Sequence, residues 1–194
     1  PLIFVWLRAM RVHQWFKNIL LFVPLFVGHA FSVQAFARSA LGFVLLSLLS
    51  SATYIINDLA DLEADRAHPT KRLRPFASGQ LKVAHGLVAA PLMMIVALIG
   101  AYLLAPQFAA AVLAYLVVTL AYSYRLKRVA LLDVFIIGVL FTLRIVMGAE
   151  ILDLAHSPWL LSFALAFFLS LPVLELASRV ERAYEFDLSP RMRR

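Results

Sequence analysis

Six apolar runs, each close to the ~20 residues that a membrane-crossing helix requires, divide the chain at about 18–37, 39–56, 86–105, 107–123, 129–149 and 157–174. Hydrocarbon offers no water to backbone N–H and C=O groups, so each run must close its hydrogen bonds within itself, as a helix does. The runs therefore predict an all-α fold, a polytopic transmembrane helical bundle of about six spanning helices. The first run is the least regular, because it contains Pro24, Gly28 and His29. Helices in membranes tolerate such residues where neighbours re-satisfy the backbone.

Composition excludes a soluble domain. The chain is 63% hydrophobic and 15% charged, against roughly 45–50% apolar and about 25% charged in soluble proteins. There is no cysteine, which rules out a disulfide framework and thiol chemistry. The net charge of +7 reads as membrane topology rather than as nucleic-acid binding, because sixteen of the eighteen Lys and Arg fall before run one, after runs two and four, and after run six. The positive-inside rule then places both termini and the connection after run two in the cytoplasm, and a bacterial inner membrane is the expected location. Residues 1–174 are expected to form the membrane domain and 175–194, ending in Arg191-Met192-Arg193-Arg194, a charged cytoplasmic tail. No cleavable signal peptide is visible.

The chemistry is concentrated after run two, from Asn57 to Pro75. Asp58, Asp61 and Asp65 are three and then four residues apart, which on a continuous helix puts the three carboxylates on one face. Such a row opposes the helix dipole and repels itself, and a hard divalent cation offsets both while keeping room for water and phosphate. Asn57 lies one residue deeper, able to ligate or orient the metal. The segment His68-Pro69-Thr70-Lys71-Arg72-Leu73-Arg74-Pro75 follows, and its basic residues suit phosphate oxygens. Acids and bases together predict a metal-assisted site for a phosphorylated or diphosphorylated donor.

Other polar positions are less decisive. Gln14, Trp15, Lys17 and Asn18 precede or open run one, as an interfacial anchor or as the lining of an entrance to the site; spacing leaves both open. Tyr122-Ser123-Tyr124-Arg125-Leu126-Lys127-Arg128 closes run four, as a tyrosine and arginine belt or with Lys127 or Arg128 as a second phosphate clamp; the residues leave both open. Asp133 and Arg144 lie inside run five, where charge is functional or paired. They are about 16 Å apart along the helix axis, too far to pair, so Arg144 is expected to meet another helix or a carbonyl. The acids and bases sit at the aqueous edge rather than at mid-membrane, which argues against a transporter.

The pattern Asn57-Asp58-x-x-Asp61-x-x-x-Asp65 resembles the first aspartate-rich motif of the UbiA-type intramembrane prenyltransferase superfamily. Its flanks, Arg11-Val12-His13-Gln14-Trp15-Phe16-Lys17-Asn18, His68 to Pro75, Ala77-Ser78-Gly79 and Tyr122 to Lys127, are similar to the branch that contains decaprenyl-phosphate phosphoribosyltransferase. The resemblance runs from about Leu7 to Leu171. It implies a helical bundle around a cavity open to the cytoplasm and to lipid, acting with Mg²⁺ on a phosphorylated donor. It implies that Asn57, Asp58, Asp61 and Asp65 hold Mg²⁺-diphosphate, with the three aspartates catalytic. Substrate would be bound by Gln14, Lys17, Asn18, His68, Lys71, Arg72, Arg74, Tyr124 and Lys127. In this branch phosphoribosyl passes from phosphoribosyl pyrophosphate to a polyprenyl phosphate; most of the superfamily instead transfers a prenyl group from a prenyl diphosphate, for example to an aromatic acceptor.

Two departures shape the expectations. The family has about nine spanning helices, and the chain supplies about six. The second polar motif expected after run six is replaced by Pro172-Val173-Leu174-Glu175-Leu176-Ala177-Ser178-Arg179, with Glu181-Arg182-Ala183-Tyr184-Glu185 a displaced echo. A C-terminally truncated family member is the expectation, with an inactive membrane remnant as the competing outcome.

Overall fold

The computed structural model describes residues 2–124, 130–155, 157–170 and 173, with 123, 124 and 130–134 described by their backbone alone. The regular structure among those residues is all helical, with no strand among them. A short helix α1 (Leu2–Ala9) leads into a 3₁₀ stretch (Val12–Phe22) that continues into α2 (Val23–Val27). Helix α3 (Val33–Ala60), a short α4 (Leu62–Ala67) and a 3₁₀ turn (Lys71–Leu73) follow. Helices α5 (Val83–Leu104), α6 (Pro106–Tyr124), α7 (Ala130–Leu152) and α8 (Pro158–Ser170) complete the bundle. Val33–Ala60, Val83–Leu104 and Phe135–Leu152 are long and apolar enough to cross a membrane, and Val12–Val27, Pro106–Tyr122 and Pro158–Ser170 are shorter apolar helical segments.

Each of the six apolar runs thus coincides with a helical segment, but the first boundary moves. Helical structure of the first run stops at Val27, with Gly28 following and His29 at a φ of 51°. Ser32 caps α3, its Oγ accepting a 3.0 Å hydrogen bond from the Ala35 amide, so α3 begins ahead of the expected position. The first run is also partly 3₁₀. Pro24 has no amide proton for the Leu20 carbonyl, and the Val23 amide takes that carbonyl three residues back instead.

Helix α3 is the axis of the bundle and packs most extensively on α5. Its buried face carries Ser39, Gly42, Ser47, Ser50, Ser51 and Ala52 among larger residues. Small residues let membrane helices approach closely, where no hydrophobic force between helices is available. Leu45, Leu46 and Leu49 of α3 meet Ala97 and Ala101 of α5, Phe108 and Val112 of α6, and Met147 and Ile151 of α7. The outer face of α5 is apolar and open, with Leu87, Val88, Leu92, Ile95, Ile99 and Leu103 all more than half exposed. A continuous band of this kind requires lipid as its cover. The protein is an integral membrane protein.

Candidate functional site

At 28 residues, α3 is about 42 Å long, against about 30 Å of hydrocarbon. It is longer than the apolar layer it crosses, and its polar final turns carry Asn57 and Asp58. The helix does not run through the aspartate row. It stops at Asp61, whose φ of −95° and ψ of 12° bend the chain into α4. The bend separates the three carboxylates. Asp58 and Asp65 turn inward, 3% and 2% exposed, and Asp61 faces water. A single-face row, the expectation from spacing, assumed an uninterrupted helix.

Burying two carboxylates demands positive partners, and two arginines supply them. Arg74 Nη1 lies 2.6 Å from Asp65 Oδ2 and 3.2 Å from Asp58 Oδ1. Arg11 Nη2 lies 2.6 Å from the same Asp58 oxygen. Arg11 occupies the left-handed region at φ 50°, ψ 48°, a conformation that costs a non-glycine residue roughly 1–2 kcal/mol. That turn between α1 and the 3₁₀ stretch directs its guanidinium over the Tyr54 ring, 4.7 Å from the centroid, and onto Asp58. Above the cluster a cavity of about 350 Å³ is lined by Arg8, Arg11, His13, Asp58, Thr70, Leu73, Arg74 and Pro75. Arg8 donates to the Gln80 Oε1 at 3.1 Å and to the Leu73 carbonyl at 3.4 Å.

The loop that delivers Arg74 is fastened from below. Phe76 is 1% exposed and packs with Ala9, Ile55, Leu81 and Ala90, with the Trp6 ring edge-on at 6.5 Å. Gly86 makes room for it, since a Cβ there would meet the Phe76 ring at 2.8 Å. Beyond Phe76 the chain reverses through Gly79 at a φ of +76°, where glycine is unstrained. The Ser78 amide donates to the Arg74 carbonyl at 2.9 Å.

A second polar group lies deeper, between helices. Arg144, 7% exposed, donates from Nε to Asn18 Oδ1 at 2.9 Å, from Nη2 to the Tyr115 hydroxyl at 3.0 Å and from Nη1 to the Leu140 carbonyl at 2.6 Å. Asn18 in turn donates to Ser47 Oγ at 3.0 Å. The chain ties the 3₁₀ stretch, α3, α6 and α7 together. Trp15 Nε1 donates to Ser51 Oγ at 3.0 Å, and that hydroxyl donates to the Met10 carbonyl at 2.8 Å.

The anticipated residues divide as follows. Asp58, Asp65 and Arg74 come together. Asn18 joins Arg144, while Gln14 and Lys17 are half-buried on the same stretch. Asn57 is half-buried one residue before Asp58. His68 turns back on its own loop, its Nδ1 accepting from the Thr70 amide at 3.3 Å. Lys71 and Arg72 are exposed and make no ion pair among the described residues. The side chains of Tyr124 and Asp133, all of Lys127 and the 175–194 tail lie outside the described residues. Arg8, Arg11 and His13 were not anticipated at the site. Arg11 and His13 were visible in the Arg11–Asn18 flank that carries the resemblance, without a site role assigned to them, and Arg8 read as a topology residue. As they stand, no three His, Asp or Glu side chains among the described residues are grouped to hold a metal ion. The donor chemistry nevertheless suits a hard cation: two carboxylates already converge on one positive nitrogen, and a third lies on the same bend.

Comparison with known proteins gives the ancestry. The chain is 56% identical over 167 residues to the uncharacterized protein y4nM of Sinorhizobium fredii, covering 86% of this chain and 32% of that protein. It is 35% identical over 159 residues to decaprenyl-phosphate phosphoribosyltransferase of Mycobacterium tuberculosis, covering 79% of this chain and 53% of that one. The chain thus spans about a third to a half of the relatives it matches. A UbiA homolog from Archaeoglobus fulgidus, solved with GPP and Mg²⁺, superposes with a TM-score of 0.71 at 22% identity, covering 91% of this chain and 64% of that one. The model of the UbiA prenyltransferase family matches residues 19–187, and with that match this chain belongs to the UbiA prenyltransferase family.

Proposed function

We propose that the chain carries the donor-binding half of a Mg²⁺-dependent transferase that moves phosphoribosyl from phosphoribosyl pyrophosphate to a polyprenyl phosphate at the cytoplasmic face of a bacterial inner membrane. One observation carries the reading: a water-facing cavity with three arginines around a buried aspartate, on a chain similar over four-fifths of its length to a phosphoribosyltransferase. In the reaction the bond from the sugar C1 to the diphosphate oxygen breaks, and the diphosphate leaves with the electron pair. A phosphate oxygen of the lipid forms the new bond to C1. The barrier is largely the charge that develops on the departing diphosphate.

Asn57, Asp58, Asp61 and Asp65 would hold Mg²⁺, which when bound neutralises diphosphate charge. Arg11 and Arg74 hold Asp58 and Asp65 in place through ion pairs, and as residues lining the cavity they would offer further N–H groups as phosphate donors. Lys17, Lys71, Arg72 and, on the resemblance in sequence alone, Lys127 would add positive charge for the donor, with Gln14, Asn18, His68 and, on the same resemblance alone, Tyr124 as further substrate contacts. The apolar helices present the lipid acceptor directly from the bilayer.

A second reading is prenyl transfer from a prenyl diphosphate to an aromatic acceptor, favoured by the family's name and by the GPP-bound homolog. Membranes containing the chain, given labelled phosphoribosyl pyrophosphate or labelled geranyl diphosphate with a polyprenyl phosphate or an aromatic acceptor, separate the two. Label reaching lipid from the sugar donor supports the first reading. Label reaching only the aromatic acceptor from the prenyl donor replaces it with the second, and no transfer from either donor favours an inactive chain.

A further inference from the structure

The cavity above Asp58 holds more positive charge than its acids use. Arg11 and Arg74 are engaged with Asp58 and Asp65. Arg8 is not: its two hydrogen bonds go to neutral acceptors, the Gln80 amide oxygen and the Leu73 carbonyl, and it has no ion pair among the described residues. Those two bonds aim Arg8 by pinning it to both ends of the loop that carries Arg74. His13 and the Thr70 side chain complete the polar rim, and only Leu73 and Pro75 are apolar. A fixed guanidinium fork without a carboxylate, at the mouth of an open cavity, fits a phosphate group.

We infer that Arg8, with His13 and Thr70, forms a subsite for a phosphomonoester, distinct from the diphosphate position at Asp58, and that it recognises the 5-phosphate of the sugar donor. The inference rests on the donor proposed above. A phosphomonoester could also come from the lipid acceptor. The lining decides against it, because a polyprenyl chain needs a continuous apolar track and only two of the lining residues, Leu73 and Pro75, are apolar. Arg8 would then discriminate between donors: a sugar donor with a third phosphate uses it, and a prenyl diphosphate has nothing to place there.

The test measures binding of ribose 5-phosphate and of farnesyl phosphate to the full chain in nanodiscs, separately from any transfer assay. Arg8→Gln, Arg8→Lys and His13→Gln are compared with the unaltered chain, with thermal unfolding as a check on each. Arg8 is exposed, so folding is expected to survive. Expected is saturable ribose 5-phosphate binding that weakens by about tenfold or more in Arg8→Gln, by less in Arg8→Lys, and with farnesyl phosphate binding unchanged. Ribose 5-phosphate binding that is absent, or equal in the unaltered chain and in Arg8→Gln, overturns the subsite. Loss of farnesyl phosphate binding alone reassigns it to the lipid and equally overturns the inference. Failure of phosphoribosyl transfer with ribose 5-phosphate binding intact would count against the proposed reaction and leave the subsite standing.

Discussion

Arg144 and Asn18, 126 positions apart in sequence, meet through a 2.9 Å hydrogen bond inside the bundle. All three acceptors given to the guanidinium are neutral, so its positive charge is balanced by dipoles and by two aromatic faces, Tyr115 at 5.0 Å and Phe141 at 5.1 Å. The arrangement sets the first segment against α7 and thereby fixes where Arg11, seven residues before Asn18, enters the site.

Removing one partner is therefore expected to cost more than removing both. Asn18→Leu strands the Arg144 Nε and should lower stability by about 1–3 kcal/mol. Asn18→Leu combined with Arg144→Met leaves no stranded charge and should recover most of that loss. Thermal unfolding in detergent reads the difference. A double variant less stable than Asn18→Leu would show that the guanidinium stabilises the bundle without Asn18.

Close approach of the same two segments depends on Gly148. A Cβ at that position would collide with the Leu21 carbonyl and crowd Pro24. Gly148→Val should cost about 1–3 kcal/mol through overpacking and weaken donor binding as well, since it moves α7 away from Asn18. Gly79→Ala offers a contrast: open space surrounds it, and only its φ of +76° is strained, so a loss of about 1 kcal/mol is expected. Equal effects at the two glycines would contradict the packing argument.

How much of this was legible in the sequence follows from range. The apolar runs are local, and all six fall on helical segments. Their boundary at 28–32 was displaced because the Ser32 cap is a weaker signal than continuing hydrophobicity. Arg144 was expected to find a partner on another helix or a carbonyl, and it finds both. The aspartate row was legible as chemistry and misjudged as geometry, because nothing in its spacing announces the bend at Asp61. Lys71 and Arg72 drew the eye as neighbours of the aspartates, whereas the ion pair with Arg11 joins residues 47 positions apart. Packing of α1 and of the 3₁₀ stretch against α3 creates that proximity, a contact between segments far apart in sequence that no local pattern announces.

Phe76 converts that packing into site geometry. Phe76→Ala removes a fully buried ring and should destabilise the chain by about 3–5 kcal/mol. Phe76→Leu, which keeps most of the volume, should retain the fold and loosen the loop. The expected signature in Phe76→Leu is weaker donor binding at near-normal thermal stability. Unchanged donor binding would show that Arg74 holds its place without the anchor.

Arg74 serves two buried carboxylates at once. Arg74→Met should leave Asp58 with Arg11 alone and Asp65 with no cation among the described residues, at a cost of about 3 kcal/mol. Adding Asp65→Asn to Arg74→Met should restore part of the stability without restoring donor binding. Recovery of binding in that pair would place the donor elsewhere.

The central claim is that the bend carrying Asp58 and Asp65 binds a diphosphate donor through Mg²⁺, and calorimetric titration of phosphoribosyl pyrophosphate into the nanodisc-embedded chain tests it most directly. The account predicts binding that requires Mg²⁺ in the unaltered chain and is lost in Asp58→Asn, with thermal unfolding showing that the variant remains folded. Mg²⁺-dependent binding of equal affinity in the unaltered chain and in Asp58→Asn would contradict it.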